Sequence, residues 1–327
     1  MEEKIEEKIK ETTNVKVSRD EKTNNKIVNN YQFQETIGRG IYSKVKKCID
    51  IKTNKSYAVK ILNNRLLKKK KKSVGTSLNG TLEAHYMIED ALNEIKIYKE
   101  LPLDENNNIL KLYEILIDEE NEKTYLIFEL AEFGLITSID ENTGIFTLNS
   151  HLNNNEYNEK LIKQFILDIA KGIYFLHSNN IVHRDIKSDN IVLFSNYHCK
   201  LSDLGLAIKL KDDNEKFSMT EGNIFFYPPE FIDCENNKLF SYKPVDIWAF
   251  GVTIYTIIFK KLPFVPEIVS DIMGLFNLIK QANVNFDVNG IVISDNMRKL
   301  LKRFFEKNPE ERITAKEIVE DSWLNCE

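Results

Sequence analysis

Cysteine is scarce in this sequence, where only Cys48, Cys199, Cys234 and Cys326 occur among 327 residues. None of the four lies at the short spacing that a zinc site or a redox pair requires. This pattern favours a reduced, intracellular compartment over a disulfide-stabilised secreted domain.

Long apolar runs and an excess of positive charge are missing as well. The longest apolar stretch, residues 245–259, contains Asp246 and is too short to cross a bilayer, so it predicts a buried core helix. The first ten residues, MEEKIEEKIK, are charged where a signal peptide would be apolar. A net charge of −5 and a pI near 5.8 argue against nucleic acid as a partner. We therefore expect a cytoplasmic protein without a membrane span, and nuclear access stays open.

The sequence does contain enough apolar material for a packed interior, with 42% hydrophobic and 29% charged residues. Its length exceeds the size at which a single core usually stops growing, which favours two lobes. We predict a charged N-terminal tail over residues 1–28, a strand-rich lobe over 29–130, a mostly helical lobe over 134–323 and a C-terminal end over 324–327. Within the first lobe, the lysine-rich segment 63–82 predicts an exposed basic insertion.

Gly38 and Gly40 lie between two strand-like runs in the string IGRGIYSKV. Glycines at such a turn let backbone N–H groups approach phosphate oxygens, but a tight hairpin explains the same two residues equally well. Ser43 stands where the third glycine of a phosphate-binding loop is usual, which would make the loop stiffer.

Lys60 follows on the apolar strand YAVK, where an unpaired ammonium group would be costly. A solvated lysine at a sheet edge is one interpretation, and a ligand for the α- and β-phosphates of a nucleotide is the other, which the spacing from the glycine loop favours. Glu94 is the expected partner, with Glu89 and Glu100 as alternatives. Glu94 is preferred because its helix would rest on the sheet through three apolar residues, Leu92, Ile95 and Tyr98.

The string IVHRDIKSDNIVL, residues 181–193, concentrates polar residues between apolar flanks that would bury supporting strands. Its polar positions match a kinase catalytic loop at His183, Arg184, Asp185, Lys187 and Asn190. A charged surface turn is the alternative, and the density of matches makes it a poor explanation.

A second acidic motif follows ten residues later, where CKLSDLGLA places Asp203 ahead of Gly205. Kinases carry their main Mg²⁺ carboxylate at this place. Leu204 replaces the usual phenylalanine and should pack in the core behind the aspartate. Alone, the triplet DLG would be an ordinary turn.

In this order, the motifs resemble the protein kinase superfamily over residues 31–323. The resemblance implies an α+β, bilobal protein kinase fold, with a small antiparallel β-sheet lobe carrying one main helix and a larger, mostly α-helical lobe. It also implies ATP as the phosphate donor, Mg²⁺ as the metal ion, and protein substrates, with other kinases among the candidate substrates.

The roles of individual residues follow from the same resemblance. Asp185 would accept the substrate hydroxyl proton, Lys187 would neutralise charge on the transferred phosphoryl group, and Asn190 and Asp203 would bind the metal ion. Lys187, two residues after Asp185, is the serine/threonine-kinase arrangement. Phe128 would be the gatekeeper residue and Glu129 and Leu130 the hinge, while four apolar residues would enclose adenine: Ile37, Val45, Ala58 and Val192.

Two structural pairs are implied as well. Glu230, at the end of YPPE, would pair with Arg312, and Asp246 would cap the backbone of the catalytic loop. Two residues depart from the family pattern, since Asn223 stands where threonine is usual and Ser188 where proline is usual. Neither change removes a group that phosphoryl transfer needs.

The basic insertion and residues 111–134 are similar to the calcium/calmodulin-dependent protein kinase kinase group, which phosphorylates activation loops of other kinases. Calmodulin is nevertheless not an expected partner, because the final pattern ITAKEIVEDSWLNCE is acidic and ends at Glu327. Arg184 and Lys209 predict modest control by a phosphate on Thr220 or Ser218 of the activation segment.

Two other classes of function compete with an active protein kinase. A pseudokinase or nucleotide-binding scaffold has no chemical need for Lys60, Asp185, Asn190 and Asp203 together. A small-molecule kinase is disfavoured by the long activation segment and the string GNIFFYPPE, which form the peptide platform in protein kinases.

Overall fold

The computed structural model describes residues 9–40, 43–76, 82–102, 107–139, 146–152, 157–212, 215, 223–232, 239–268 and 271–326. The chain divides into two compact units. The first comprises residues 1–105 and 110–132, and the second comprises 106–109 and 133–327. The first unit includes residues 1–28, which were predicted to be a tail, together with most of the predicted lobe 29–130, while residues 106–109 belong to the second unit.

The first unit is built on an eight-stranded sheet in the order β1-β9-β10-β6-β5-β4-β3-β2. Its strands are β1 (Lys10–Thr12), β2 (Val17–Arg19), β3 (Lys26–Val28), β4 (Tyr31–Arg39), β5 (Ser43–Asp50), β6 (Ser56–Asn63), β9 (Leu112–Asp118) and β10 (Lys123–Glu129). All neighbouring strands pair antiparallel except β1, which pairs parallel with β9. The predicted meander from Tyr31 to Leu62 is present as β4, β5 and β6.

The sheet begins earlier than the sequence analysis predicted. Residues 10–28, which we call the N-terminal segment, were expected to form part of a loosely attached tail. They instead supply β1 at one edge of the sheet and the β2–β3 pair at the other. Val28 is fully buried, and Val15 packs against the same apolar cluster. These few apolar residues show no period, so the pattern of the sequence did not reveal the strands.

The basic insertion contains regular structure. The side chain of Asn63 accepts a hydrogen bond from the Leu66 N–H and caps helix α1 (Asn64–Lys69). A hairpin of β7 (Lys71–Thr76) and β8 (Leu82–Tyr86) follows. Leu67 anchors α1 in the interior, while Arg65, Leu66 and Lys68 to Lys70 are exposed. The prediction of an exposed basic surface therefore holds for α1.

Helix α2 (Met87–Glu100) turns a different face to the interior than predicted. Its buried residues are Ala91, Glu94, Ile97 and Tyr98. Leu92, which was expected to seat the helix, is 58% exposed, and Ile95 is only half-buried. The orientation of the helix differs from the predicted one because Glu94 itself lies at the centre of the buried face.

The second unit is mostly helical, as predicted. Its helices are α3 (Glu159–Ser178), α4 (Pro229–Ile232), α5 (Tyr242–Phe259), α6 (Ile272–Gln281), α7 (Asp295–Phe304), α8 (Ala315–Val319) and α9 (Ser322–Asn325). Helix α5 is buried on nearly every side, which explains its continuous apolar sequence. Among the helices of the described residues, none has the length and hydropathy to span a bilayer.

Short strands join these helices and carry polar loops. Strands β11 (Gly134–Leu135), β15 (Ile191–Leu193) and β16 (Cys199–Leu201) form one small sheet, and β14 (Ile181–Val182) pairs with β17 (Ile208–Lys209). A further pair consists of β12 (Thr137–Ile139) and β13 (Phe146–Leu148). The loops between β14 and β15 and after β16 contain the candidate catalytic residues.

Three cysteines of the described chain, Cys48, Cys199 and Cys326, are free thiols. Burial raises the pKa of the Cys48 thiol to about 12, so that group stays protonated at neutral pH. Cys48 and Cys199 therefore act as small apolar core residues.

A buried ion pair links α4 to the chain ahead of α8. Arg312 donates from Nη1 to Glu230 Oε1 and from Nη2 to Glu230 Oε2, each at 2.8 Å. The guanidinium also lies 5.1 Å from the centre of the Trp248 ring. The pair expected between Glu230 and Arg312 is present with two parallel hydrogen bonds, the strongest geometry that arginine offers a carboxylate.

This pair predicts a non-additive loss of stability. Arg312 is fully buried and Glu230 is 7% exposed, so removing either partner leaves a charge without its counterion. Arg312→Met or Glu230→Gln should each lower the free energy of unfolding by about 3–5 kcal/mol, and the double variant should lose less than the sum. Urea denaturation measures all three. Strictly additive losses would contradict the pairing.

Candidate active site

Lys60 and Glu94 form an ion pair within the first unit. Alternation along β6 places Val59 in the apolar cluster on one face of the sheet and directs Lys60 to the opposite face. The Lys60 Nζ lies 2.8 Å from Glu94 Oε2, and the two side chains are 19% and 2% exposed. Glu100, one of the alternatives, lies beside Lys96 instead. The pair fixes the ammonium group in a partly desolvated position, where it can bind a phosphate oxygen.

The glycine loop is a hairpin between β4 and β5. Gly38 lies opposite Val45, and the Gly40 N–H donates to the Ser43 carbonyl at 3.0 Å. A Cβ atom on Gly40 would stand 2.7 Å from Ser43 Oγ, so the serine closes the space beside this glycine. Residues 41 and 42 lie outside the described chain. The hairpin is compatible with both interpretations of the glycines, because a phosphate loop has the same backbone path.

The residues proposed to contact adenine differ in exposure. Ala58 is 8% exposed, Ile37 is 49% exposed and Val45 is half-buried. Phe128 is buried and packs edge to face on Tyr98 of α2, with ring centres 5.6 Å apart.

The hinge prediction concerns the backbone groups of Glu129 and Leu130. The Glu129 N–H donates to the Lys111 carbonyl at 3.0 Å, and Glu129 Oε1 accepts from the Lys111 N–H at 2.6 Å. The Glu129 N–H is therefore engaged within the sheet, and the hinge role of Glu129 stays a prediction for its carbonyl. The prediction for Leu130, the residue after β10, stays a prediction.

In the second unit, the carboxylate of Asp185 is held by two neighbours. Lys187 Nζ lies 3.0 and 2.8 Å from its two oxygens, and Asn190 Nδ2 donates to Oδ2 at 2.8 Å. Asn190 Nδ2 also donates to the Asp185 backbone carbonyl at 2.8 Å. The 3₁₀ turn Ser188–Asn190 brings the amide back to the aspartate. Three residues that the sequence analysis selected thus meet at one carboxylate.

The backbone before Asp185 is fixed from helix α5. Asp246 accepts the His183 N–H on Oδ2 and the Arg184 N–H on Oδ1, both at 2.8 Å, and His177 Nε2 lies 2.9 Å from Oδ2. Arg184 has a φ of 67°, which an arginine adopts only when its surroundings impose it. The expected capping by Asp246 is present and stabilises this strained turn.

The charge of Asp246 is set by competing effects. Burial favours the neutral acid and would raise its pKa, but the hydrogen bond and charge of His177, together with the His183 N–H, lower the pKa below its ordinary value of 3.8. The lowering wins, so Asp246 is a carboxylate throughout the neutral range.

His183 connects the catalytic loop to the metal-binding motif. Its Nε2 lies 3.1 Å from the Ser202 carbonyl, and the Asp185 N–H donates to its Nδ1 at 3.3 Å. Since a carbonyl only accepts, the network assigns the proton to Nε2. The imidazole therefore positions Asp185 and Ser202 together.

Asp203 and Asn190 can serve as metal ligands. Asp203 is exposed, with a φ of 60°, and Leu204 behind it is fully buried, as predicted. The Ser202 N–H donates to the Asn190 carbonyl at 2.9 Å, which ties the two loops together. The Asn190 amide uses its N–H groups on Asp185, so its oxygen is the atom that would face a cation. One carboxylate and one amide suit Mg²⁺, which takes its other oxygens from phosphates and water. The described residues contain no cluster of three or more His, Cys, Asp or Glu side chains placed to hold a metal ion.

The predicted control by phosphorylation of the activation segment stays a prediction. Thr220 and Ser218 lie outside the described residues. The two cations expected to receive a phosphate have contacts of their own: Arg184 Nη1 donates to the Leu206 carbonyl at 3.3 Å, and Lys209 Nζ donates to the Asn179 carbonyl at 2.7 Å.

The sequence analysis missed His177 and Ser202. The signal for His177 was a single histidine in the last turn of the apolar helix α3, six residues before His183. Asn223, which departs from the family pattern, caps a 3₁₀ turn by accepting the Phe225 N–H at 3.1 Å.

Comparison with known families decides the assignment. The family model described as "Protein kinase domain" matches residues 31–324. This chain belongs to the protein kinase family. The predicted α+β kinase fold is thereby confirmed.

Individual relatives are named as protein kinases as well. A probable serine/threonine-protein kinase of Dictyostelium discoideum is 30% identical over 302 residues, covering 92% of this chain and 39% of that protein. The serine/threonine-protein kinase TOS3 of Saccharomyces cerevisiae is 32% identical over 333 residues, covering 95% of this chain and 56% of that protein. Serine/threonine-protein kinase ppk34 of Schizosaccharomyces pombe is 28% identical, with coverages of 93% and 86%. The chain thus spans less than two thirds of the first two relatives.

The capping of the catalytic loop generates a prediction. Asp246→Asn offers one oxygen where two backbone N–H groups now donate, so we expect about 1–3 kcal/mol or more of lost stability and at least about a tenfold loss of kcat. Because the folded-state pKa is lowered, the stability that the Asp246 carboxylate contributes is present above the ordinary pKa of 3.8, and the difference from wild type should shrink as pH falls below that value. Denaturation at several pH values and steady-state kinetics measure both.

Asp168→Asn is the matched control. Asp168 is also buried, and it accepts the Cys199 N–H at 3.0 Å and contacts His198, but it lies away from the catalytic loop. Equal losses of kcat in the two folded variants would contradict the role assigned to Asp246.

Proposed function

We propose that this chain is an active serine/threonine protein kinase that transfers the γ-phosphoryl group of Mg-ATP to a protein hydroxyl. The observation that carries the proposal is the environment of Asp185. Its carboxylate is held by Lys187 and Asn190, and its backbone is fixed through Asp246 and His183. Such a preorganised carboxylate suits a group that orients a substrate hydroxyl.

Each charged group then has a chemical role. Asp185 orients the substrate hydroxyl and accepts its proton, and Lys187, whose ammonium lies against the same carboxylate, neutralises charge on the transferred phosphoryl group. Lys60, held by Glu94, binds the α- and β-phosphates. Asn190 and Asp203 would hold Mg²⁺, and the bound ion would supply positive charge that offsets the negative charge of the phosphates.

The choice of serine or threonine over tyrosine rests on two supports. Lys187 stands two residues after Asp185, which is the serine/threonine-kinase arrangement. The printed names of the relatives also describe them as serine/threonine-protein kinases.

The substrate class is a narrower proposal: activation loops of other protein kinases. It rests on the similarity to the calcium/calmodulin-dependent protein kinase kinase group in the basic insertion and in residues 111–134. Incubation with catalytically inactive candidate kinases, followed by mass spectrometry, tests it. Phosphate found only outside their activation loops would overturn this narrower proposal and leave the kinase activity standing.

A pseudokinase is the competing proposal. A nucleotide-binding scaffold could use the Lys60–Glu94 pair, but it would have no chemical need for the Asp185–Lys187 contact. Transfer of radiolabelled phosphate from Mg-ATP to a protein substrate, followed by phosphoamino-acid analysis, separates the two. The active kinase labels serine or threonine, and the scaffold labels nothing.

Asp185→Asn predicts a loss of catalysis without a loss of nucleotide binding. The amide cannot accept the hydroxyl proton, so transfer should fall by about 100-fold or more, while ATP affinity should change less than about threefold because other residues contact the nucleotide. Calorimetry and transfer assays measure the two quantities. Asp287→Asn, at an exposed aspartate paired with Arg298, is the control and should behave as wild type. Near-normal turnover of Asp185→Asn would refute the assignment.

The exposed lysines of α1 predict docking of an acidic protein substrate. Lys68 and Lys69 at the end of α1, and Lys70 just after it, are exposed, while Leu67 anchors the helix. Their positive charge can therefore attract an acidic protein substrate as it approaches. Replacing all three with serine should lower kcat/KM for the protein substrate by about threefold to tenfold and leave a short peptide unaffected. A solvated loop without a partner is the alternative explanation.

A variant with the same loss of charge elsewhere controls for net charge. Lys299, Lys302 and Lys307 are exposed in the second unit and can be replaced with serine together. Equal effects of the two triple variants, or an equal effect on peptide and protein, would rule out docking at α1.

A further inference from the structure

The N-terminal segment encloses both edges of the sheet that carries Lys60. At one edge, β1 pairs with β9 in the register Lys10 to Glu114, Glu11 to Ile115 and Thr12 to Leu116. At the other edge, β3 pairs with β4 through Ile27 and Val28. The segment is therefore an integral part of the first unit.

Glu114 is the point at which β1 is attached. This residue is 5% exposed, and its carboxylate contacts Lys10 Nζ at 2.8 Å, Thr12 Oγ1 at 3.0 Å and Tyr31 OH at 2.8 Å. A buried carboxylate is stable only with such partners, and β1 supplies two of the three. Glu114 thus selects the position of β1 along the edge.

Glu11 points the other way because side chains alternate along a strand. It forms an ion pair with Lys99, in the last turn of α2. Helix α2 is the element that presents Glu94 to Lys60. Glu11 of β1 therefore contacts the helix that carries Glu94, while its neighbours Lys10 and Thr12 are bound to Glu114 in the sheet.

The other side of the sheet adds a second connection. Val15 and Val28 of the N-terminal segment pack on the apolar cluster that contains Val59. Val59 is the neighbour of Lys60 in β6, and the two side chains lie on opposite faces. The N-terminal segment thus contacts the elements of both members of the Lys60–Glu94 pair: the apolar cluster under β6 and helix α2.

We infer that the N-terminal segment positions helix α2 through the Glu11–Lys99 pair, on a strand anchored at Glu114. It thereby holds Glu94 in position to pair with Lys60. Glu11, Lys99 and Glu114 are positioning residues and touch no substrate. The inference rests on the proposed function only for its kinetic part, because the position of α2 can be measured without catalysis.

The test is a charge exchange in the full chain. Glu11→Lys and Lys99→Glu each place like charges together, so amide hydrogen exchange in α2 should become about threefold to tenfold faster and kcat/KM for ATP should fall by about threefold or more. The double variant Glu11→Lys/Lys99→Glu restores an opposite pair and should recover most of both quantities. Lys96→Glu, on the same helix, is the matched control: it places a like charge only beside the exposed Glu100 at a weak contact of 3.9 Å, so both quantities should change by less than about twofold.

Three outcomes would overturn the inference: unchanged exchange in α2 for both single variants, no recovery in the double variant, or an equal effect of Lys96→Glu. Faster exchange with unchanged kinetics would also overturn it, since α2 would then move without disturbing the Lys60–Glu94 pair. A wild-type chain without transfer activity would instead refute the proposed function, while the exchange measurements would still decide whether the segment holds α2.

Discussion

The arrangement of the second unit depends on one buried carboxylate, that of Asp246. It lies in helix α5, which is enclosed by apolar residues, and it accepts hydrogen bonds from two successive backbone N–H groups and from His177. A charge in such a place is tolerated because these three groups hydrogen-bond to its two oxygens. The loop that carries Asp185 is held by this one acceptor, and the contacts of Lys187, Asn190 and His183 are built on that fixed backbone.

Sequence patterns singled out the residues of the candidate site because most of them lie in contiguous strings. Asp185, Lys187 and Asn190 lie in one short loop of residues 181–193, and all three meet at the Asp185 carboxylate. The long-range pair Lys60–Glu94 was expected from the cost of an unpaired lysine on an apolar strand, whereas Glu230–Arg312 came from the family resemblance, since no local rule connects residues so far apart. His177 was missed because a lone histidine in an apolar helix has no characteristic pattern.

The fold of the first unit was predicted less completely, because some of its strands are stabilised by tertiary contacts and not by their local sequence. The strands of the N-terminal segment are three residues long and mostly exposed, so they have little period to detect. Their stability comes from tertiary contacts at Glu114 and Val28. For α2, the expected inward position of Leu92 was wrong, since Leu92 is 58% exposed and the buried face consists of Ala91, Ile97 and Tyr98 around Glu94.

The parallel pairing of β1 with β9 has a consequence for how the chain folds during synthesis. Lys10 meets Glu114, so about 100 residues must leave the ribosome before the first strand has its neighbour. At translation rates of about 5–20 residues per second, the strand waits for about 5–20 seconds. The β2–β3–β4 hairpins, whose partners are close in the sequence, can form during that interval.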